Sequence, residues 1–225
     1  MSTHRIFPHG ALEEIAPNIW QVEGSLPVPL KRNMTVHRLP NGELVIYSAV
    51  ALHDEGMAAL EALGRPAWLV VPHPLHTMDA PFYKDRYPDI RVIAPEDATA
   101  KLRGMKVDFD PRTGLGELGL RHHVAPGMRY TEIVLDLDLA DGRTLVFTDL
   151  VTRRAPRLLL RLLGPPGEMG LPRLVKFRQV TSRPAVRRFF EELADAPALQ
   201  RILCSHGPPI TSGCAEGLRA AATRI

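Results

Sequence analysis

The residues whose types and spacing best suit a chemical role lie in the segment VVPHPLHTMDAP, which spans residues 70–81. Two histidines three residues apart, His73 and His76, are followed three residues later by Asp79. Neutral imidazole and carboxylate groups are the usual ligands of zinc or iron at hydrolytic centres. An ion held in this way lowers the pKa of a bound water to about 7 and so supplies hydroxide near neutral pH. The segment is therefore a metal site, a metal site that has lost ligands, or a polar turn that contains histidine.

Further residues of the same types lie at the ends of other predicted strands. His122 and His123 lie near one strand end, Asp149 ends the apolar run TLVFTD, and His206 ends the short strand ILCSH. Ligands and catalytic groups commonly lie where strands end, because rigid elements there direct short loops into one crevice. One histidine at such a place is more often a hydrogen-bonded turn residue. Five such features together favour a metal centre.

The hydrophobic pattern predicts the strands and helices that position these residues. Strands are predicted at 18–24, 34–39, 43–50, 67–72 and 90–95, a strand followed by a turn at 118–127, and a hairpin over 131–151 around Asp141-Gly142. The segment 200–210 is predicted to hold a short strand that ends in Ser205-His206-Gly207. Helices are predicted at 55–64, 80–88, 96–104, 182–197 and 213–225. Residues 105–118, rich in Gly, Asp and Pro, are predicted to form a loop. Strand-rich halves with helices between them suggest sheets packed on each other, with helices outside.

The segment 152–182 is rich in Arg, Leu, Pro and Gly. In its sequence RRAPRLLLRLLGPPG the leucines have helical spacing that proline interrupts. We interpret it as a helical insert on the surface that buries its leucine face. A lid over a pocket and a membrane-surface helix stay open as alternatives.

The composition limits the classes of function. The chain has 225 residues, of which 45% are hydrophobic and 24% charged, with a net charge of +3. Scattered arginines without a dense basic block argue against nucleic-acid binding. Two cysteines outside any CxxC pair fit a reducing cytoplasm. Neither a signal peptide nor a membrane span is predicted, so we expect a cytoplasmic protein without an integral membrane segment.

The order of the motifs resembles that of the metallo-β-lactamase-fold superfamily over roughly residues 12–222. IAPNIWQVEG resembles its opening strand, and MTVHRLPNGELVIYSA resembles the next hairpin. LVVPHPLHTMDAPFYKDRYPDIRVIAPEDA resembles the strand, HxHxDH loop, helix and strand that follow. HHVAPGMRYTEIVL, RTLVFTDLV and ILCSHGPPI resemble the later metal-binding segments. The resemblance implies an α+β fold, a four-layer αββα sandwich, formed by residues 1–225 as a single domain with a metal site at one sheet edge.

The resemblance also implies a ligand set, from which this sequence departs in places. Asp149 and His206 match the bridging aspartate and the final histidine of the family. The family hairpin usually ends in Asp, where this chain has Tyr47-Ser48, and Met128 stands where a histidine follows Pro-Gly. Ala80 replaces the last histidine of HxHxDH. The implied metal ligands are His73, His76, Asp79, His123 (or His122), Asp149 and His206, with Asp79 and Asp149 as the catalytic carboxylates.

The function implied is a metal-dependent hydrolase that uses metal-bound hydroxide on a small ester, lactone, thioester or phosphoester. The altered site would hold one or two ions of zinc, iron or manganese, or none. The alternative is a catalytically inactive protein with a binding or structural role, in which Asp149 and His206 persist as a hydrogen-bonded pair. A thiol hydrolase using Cys204 and His206 is a third hypothesis. The substrate and a homodimeric state are left open by the sequence.

Overall fold

A computed structural model of the chain describes residues 4–102, 104–153 and 164–225. The chain forms two compact units, Met1–Gly119 and Leu120–Ile225. Residues 154–163 of the predicted helical insert lie outside the described residues, and the surface helix stays a prediction there. In the described part of the chain, no helix is both long enough and apolar enough to cross a bilayer.

The first unit is built on a six-stranded sheet. Its strands are β1 (Glu13–Ala16), β2 (Ile19–Ser25), β3 (Lys31–Arg38), β4 (Glu43–Tyr47), β5 (Arg65–Val70) and β6 (Arg91–Ile93). Its helices are α1 (Asp54–Leu63), α2 (Ala80–Arg86), α3 (Glu96–Thr99) and α4 (Pro111–Glu117). The strands are ordered as they occur in the chain, antiparallel from β1 to β4 and parallel from β4 to β6. Parallel neighbours need crossover connections, and α1 and α2 lie in those connections.

The parallel strands bring two loops to one edge of this sheet. Tyr47 at the end of β4 is in register with Val70 at the end of β5. The N–H of Ser48 then donates to the carbonyl oxygen of Val70 over 3.1 Å. The polar segment 73–79 follows β5 at the same edge. Side chains that follow β4 and β5 are therefore neighbours in space although they are far apart in sequence.

The second unit is built on a four-stranded sheet. Its elements in chain order are β7 (Arg121–Val124), β8 (Ile133–Leu139), β9 (Gly142–Phe147), β10 (Thr152–Arg153), β11 (Met169–Gly170), α5 (Arg173–Gln179), α6 (Arg183–Asp195), β12 (Leu199–Cys204) and α7 (Cys214–Ala222). The sheet has the order β12-β9-β8-β7, and β10 pairs with β11. Strands β9 and β12 are parallel, and Phe147 at the carboxyl end of β9 is paired with Cys204 at the carboxyl end of β12. Asp149 and His206 each lie two residues beyond these ends.

A buried apolar cluster supports each sheet. In the first unit Ile46 of β4 packs in the same cluster as Leu60 of α1. In the second unit Phe147 of β9 shares a cluster with Phe190 of α6 and Leu218 of α7. Since close-packed clusters hold strands and helices in fixed positions, the loops at the strand ends start from rigid supports.

The main error of the sequence prediction in the described residues is helix α4, where a loop was predicted over 105–118. The carboxylate of Asp110 accepts the N–H groups of Arg112 and Thr113, over 2.9 Å and 3.2 Å. Pro111 occupies the first turn, where its missing N–H costs nothing. The Asp-Pro pair therefore begins a helix, although the Gly and Pro content of the segment is typical of a loop.

A buried ion-pair network joins β7, β8 and β9. The carboxylate of Asp136, with a side chain 1% exposed, accepts hydrogen bonds from Arg143 over 2.6 Å and 2.8 Å. Arg121 and His123 also bond it, over 2.8 Å and 2.9 Å. Burial acts to raise the pKa of Asp136, but the bonds from His123, Arg143 and Arg121 outweigh it, so the pKa lies well below its usual range.

We expect Asp136→Asn to lower the free energy of unfolding at pH 7 by about 3 kcal/mol, because Arg143 would lose its buried partner. A carboxyl group with a lowered folded-state pKa stabilises the fold above its ordinary pKa and loses that effect as pH falls toward the folded-state value. The difference in the free energy of unfolding between the variant and the wild type should therefore become smaller below about pH 4. Urea unfolding at pH 7 and pH 3, followed by circular dichroism, measures both effects.

The matched control is Asp138→Asn on the same strand, because Asp138 is 73% exposed and bonds only the exposed side of the network through Arg121. Its effect should be close to zero. Equal losses of stability in the two variants would contradict the role given to Asp136.

Candidate metal centre

His73 and His76 are buried in the turn that follows β5, with residue exposures of 0% and 6%. The carbonyl oxygen of His73 accepts the N–H of His76 over 2.9 Å, which closes the turn. The two rings are edge to face, with centroids 5.8 Å apart. The structure thus brings these two predicted ligands together within the first unit.

Ser48 orients the ring of His76. The Oγ of Ser48 lies 2.8 Å from Nδ1 of His76, and both groups are buried. Ser48 has a φ of 57°, in the left-handed region, where the chain turns away from β4. Metal-ligating histidines usually have their second ring nitrogen held by a polar partner, which fixes the ring and its tautomer. Sequence reasoning noted Ser48 only as a departure from a family aspartate and missed this contact.

The ring of His73 is held by the backbone. Its Nδ1 accepts the N–H of Leu75 over 3.1 Å. An amide N–H can only donate, so a neutral His73 ring in this state carries its proton on Nε2. A metal ion bound at Nε2 would require the proton to lie on Nδ1 instead. A metal ion at Nε2 or at Nδ1 of His73 would therefore replace the hydrogen bond from Leu75: in the first case Nδ1 carries the proton, and in the second the ion occupies Nδ1.

Asp79 forms a buried ion pair with Arg32 of β3. One carboxylate oxygen of Asp79 accepts both Nη2 of Arg32 and, over 2.7 Å, the N–H of Ala51. The side chains of Arg32 and Asp79 are only 4% and 9% exposed. Burial lowers the pKa of Arg32, and the charge and hydrogen bond of Asp79 act against that shift. The carboxylate that the resemblance assigned to a metal ion is thus already bound to a cation of the protein.

Asp149 and His206 form a pair at the edge of the second sheet. Nε2 of His206 lies 3.3 Å from Oδ1 of Asp149, and their side chains are 16% and 13% exposed. The N–H of Ser205, next to His206, donates to the carbonyl oxygen of Phe147 over 3.0 Å. This hydrogen bond joins the carboxyl ends of β9 and β12 beside the two polar side chains.

Glu132 lies beneath the turn that carries Asp149, and sequence reasoning missed it. Its side chain is fully buried just before β8. Burial, and then the nearby charge of Asp149, raise the pKa of Glu132 to about 8, against hydrogen bonds from the backbone of Leu150 and from Thr148. Buried acids with such shifts cluster at functional sites, although structural networks also produce them.

The remaining predicted residues lie in other settings. Nε2 of His123 bonds Asp136 over 2.9 Å, so its ring belongs to the network described above. His123 also lines a cavity of about 680 Å³ whose lining does not include Asp149 or His206. Nδ1 of His122 lies 3.4 Å from the carbonyl oxygen of Leu120. Neither histidine is assigned to the candidate centre by these contacts.

Cys204 does not have the setting of a nucleophile. The residue is 1% exposed at the end of β12, and burial, followed by the charge of Glu132, raises the pKa of its thiol far above the usual range. A reactive cysteine needs a lowered pKa and access to solvent. The thiol-hydrolase hypothesis therefore loses its chemical basis.

Comparison with solved structures identifies the fold as that of the metallo-β-lactamases. The chain superposes on a metallo-β-lactamase from Hirschia baltica with a TM-score of 0.63 and 14% identity, covering 95% of this chain and 98% of that one. For FIM-1 from Pseudomonas aeruginosa in its mono-zinc form the TM-score is 0.63 at 15% identity, with 97% and 96% covered. For the enzyme from Erythrobacter litoralis with β-mercaptoethanol in its active site, the TM-score is 0.62 at 15% identity, with 95% and 96% covered.

The expected α+β class and the αββα metallo-β-lactamase fold are thereby confirmed. No protein-family model and no curated protein matches the sequence significantly. Identities this low establish the fold alone. The chemistry of the chain has to be argued from its own side chains.

We expect Arg32→Met to lower the free energy of unfolding by about 3 kcal/mol, because it leaves the carboxylate of Asp79 buried without its cation. The double variant Arg32→Met with Asp79→Asn should recover part of that loss, since neither charge is then left unpaired. Urea unfolding of the two single variants and the double variant gives the coupling energy.

Arg65→Met is the matched control, because Arg65 is 67% exposed and pairs with Glu43 at the surface of the same unit. We expect little change in that variant. Strictly additive losses for Arg32 and Asp79 would show that the pair is not coupled.

Proposed function

We propose that the chain is a metal-dependent hydrolase with a single metal ion held by His73, His76 and Asp149. Each of these three residues can offer one ligand atom. The observation that carries the proposal is the pair of buried imidazoles at the β4–β5 edge in a chain of metallo-β-lactamase fold. His206 acts in the proposal as the partner of Asp149.

The chemistry of the donor set fits such an ion. Two imidazoles and one carboxylate are ligands that zinc, iron and manganese accept, and three protein ligands leave a position for water. Ser48 holds the ring of His76, and His206 holds the carboxylate of Asp149. Polar partners of this kind tune and orient the ligands at metal sites.

The ion pair of Asp79 supports one ion and argues against two. A second ion would need a carboxylate beyond Asp149, and Asp79 is bound to Arg32. Displacing Arg32 would leave a buried guanidinium without a partner, which is strongly unfavourable. We therefore omit Asp79 from the proposed ligands and from the proposed catalytic groups.

The side chains of the proposed centre would hold the ion, orient the groups around it and exchange protons with them. When bound, the ion would supply hydroxide near neutral pH and polarise the bond under attack. The pairing with His206 would orient the carboxylate of Asp149. Burial of His73 and His76 excludes water from their rings and so strengthens electrostatic interactions there. A small ester, lactone, thioester or phosphoester remains the proposed substrate, acted on by a single cytoplasmic domain.

The second candidate is an inactive protein of the same fold. The hydrogen bond from Leu75 to Nδ1 of His73 favours it, because that bond holds the ring in the tautomer that a metal at Nε2 excludes. In such a protein the pair of Asp149 and His206 would order an empty site. Metal content separates the two candidates.

We expect the chain, produced in medium supplemented with zinc, iron and manganese, to contain about one metal ion per molecule. Elemental mass spectrometry of the purified protein measures this content. His76→Ala and Asp149→Ala should each remove the ion, because each deletes one of three ligands. His37→Ala, which alters a histidine of β3 bonded to the carbonyl oxygen of Asn18, is the matched control and should keep it.

Metal-loaded and chelator-treated protein should then be compared on esters, lactones, thioesters and phosphodiesters, with activity expected only in the loaded form. A wild type free of metal would favour the inactive candidate. Two ions per chain would contradict the role given to the Arg32–Asp79 pair.

A further inference from the structure

We infer that Glu132 is a positioning residue that fixes the backbone on both sides of Asp149 and so sets the direction of its carboxylate. The inference rests on the proposed function, in which Asp149 is a metal ligand. The hydrogen bonds of Glu132 carry it.

The carboxylate of Glu132 binds the two amides that flank Asp149. Its Oε1 accepts the N–H of Thr148 over 3.0 Å and the N–H of Leu150 over 3.0 Å. Its Oε2 accepts the N–H of Leu150 over 2.9 Å. Residue 149 lies between these two amides, so its backbone is held on both sides by one side chain.

The position of these amides explains why an acceptor side chain is needed beside them. Strand β9 ends at Phe147, and the amides that follow it lie outside the named strands. Buried N–H groups without a partner cost about 1–3 kcal/mol each, so they require an acceptor. The carbonyl oxygen of glutamine can keep the contacts that Oε1 makes with Thr148 and Leu150, but its NH₂ group is a donor and cannot replace the contact of Oε2 with the N–H of Leu150. Glutamine at position 132 therefore cannot reproduce the three contacts.

The backbone of Glu132 anchors its side chain from the opposite direction. Its carbonyl oxygen accepts the N–H of Ala125 over 3.0 Å. The residue thus connects the segment after β7, the start of β8 and the turn after β9. On the far side, the amide of Ser205 holds the carbonyl oxygen of Phe147. Asp149 is placed between two fixed strand ends, and Glu132 supplies the contact on the β8 side.

The decisive variant is Glu132→Gln, measured in two ways. In metal-free protein, hydrogen exchange of the Leu150 amide should become about tenfold faster, because its contact with Oε2 is lost, whereas the Thr148 amide, which bonds Oε1, should change less. In a titration with Co²⁺ alone, followed by its visible absorption bands, the dissociation constant should rise about tenfold or more. Glu132→Asp, which keeps the charge on a shorter side chain, is the second variant if Glu132→Gln does not fold.

Asp136→Asn is the matched control, since it removes a buried carboxylate from β8 that binds neither amide. We expect this variant to lower the melting temperature while leaving the Co²⁺ affinity unchanged. Loss of thermal stability in Glu132→Gln with a wild-type Co²⁺ affinity would overturn the inference, because the role would then be structural only. Unchanged exchange at Leu150 would overturn it as well.

Failure of the proposed function gives a different result. In that case the wild type binds no Co²⁺, while the exchange rates still report whether Glu132 holds the backbone around Asp149. Faster exchange in Glu132→Gln would then support the contact and reject only the metal.

Discussion

The buried ion pair between Arg32 and Asp79 determines how much negative charge remains for a metal ion. A guanidinium that is 4% exposed cannot stay ionised in the fold at low cost without a carboxylate beside it. With Asp79 bound in this way, the ligands of the proposed centre are two neutral imidazoles and the single carboxylate of Asp149. One divalent ion, one carboxylate and one hydroxide sum to zero charge. A second ion would add two positive charges in the neighbourhood of a buried arginine, which electrostatics opposes.

The other functional side chains are held by partners from neighbouring strand ends. Ser48 follows β4 and holds His76, which follows β5. His206 follows β12 and holds Asp149, which follows β9. In both units the two strands concerned are parallel neighbours, so their carboxyl ends lie side by side. The topology therefore supplies two of the proposed ligands, His76 and Asp149, with an adjacent polar partner, which is the arrangement that holds a site in a fixed geometry.

Much of this architecture follows from the sequence because it depends on local patterns. The continuous apolar run at 67–72 predicted a buried strand, and β5 with its neighbours is buried there. Helix α6 was predicted from apolar residues at helical spacing, and it buries that face. The short helix α4 was missed because its glycines and proline outweighed the Asp-Pro signal for a helix start. Composition and local capping gave opposite predictions there, and capping decided the structure.

The candidate site was less accessible to sequence reasoning because its contacts join distant residues. The pair of Asp149 and His206 was expected, since both end strands of recognisable pattern. The partner of Asp79 is 47 residues away in the chain, and no spacing rule connects Arg32 with it. Glu132 gave no signal, because a charged residue at the start of a strand is normally taken as exposed. Its burial becomes visible only when β8 and β9 are paired.

The central claim is that one metal ion binds to His73, His76 and Asp149. Crystals grown with zinc and measured on both sides of the zinc absorption edge would locate each ion directly in an anomalous difference map. Our account predicts one peak per chain, about 2.0–2.2 Å from one nitrogen of each histidine and one oxygen of Asp149. It also predicts that the hydrogen bond from the N–H of Leu75 to Nδ1 of His73 is absent in the zinc-bound protein. A map without a peak at these residues, or with a second peak at Asp79, would contradict the account.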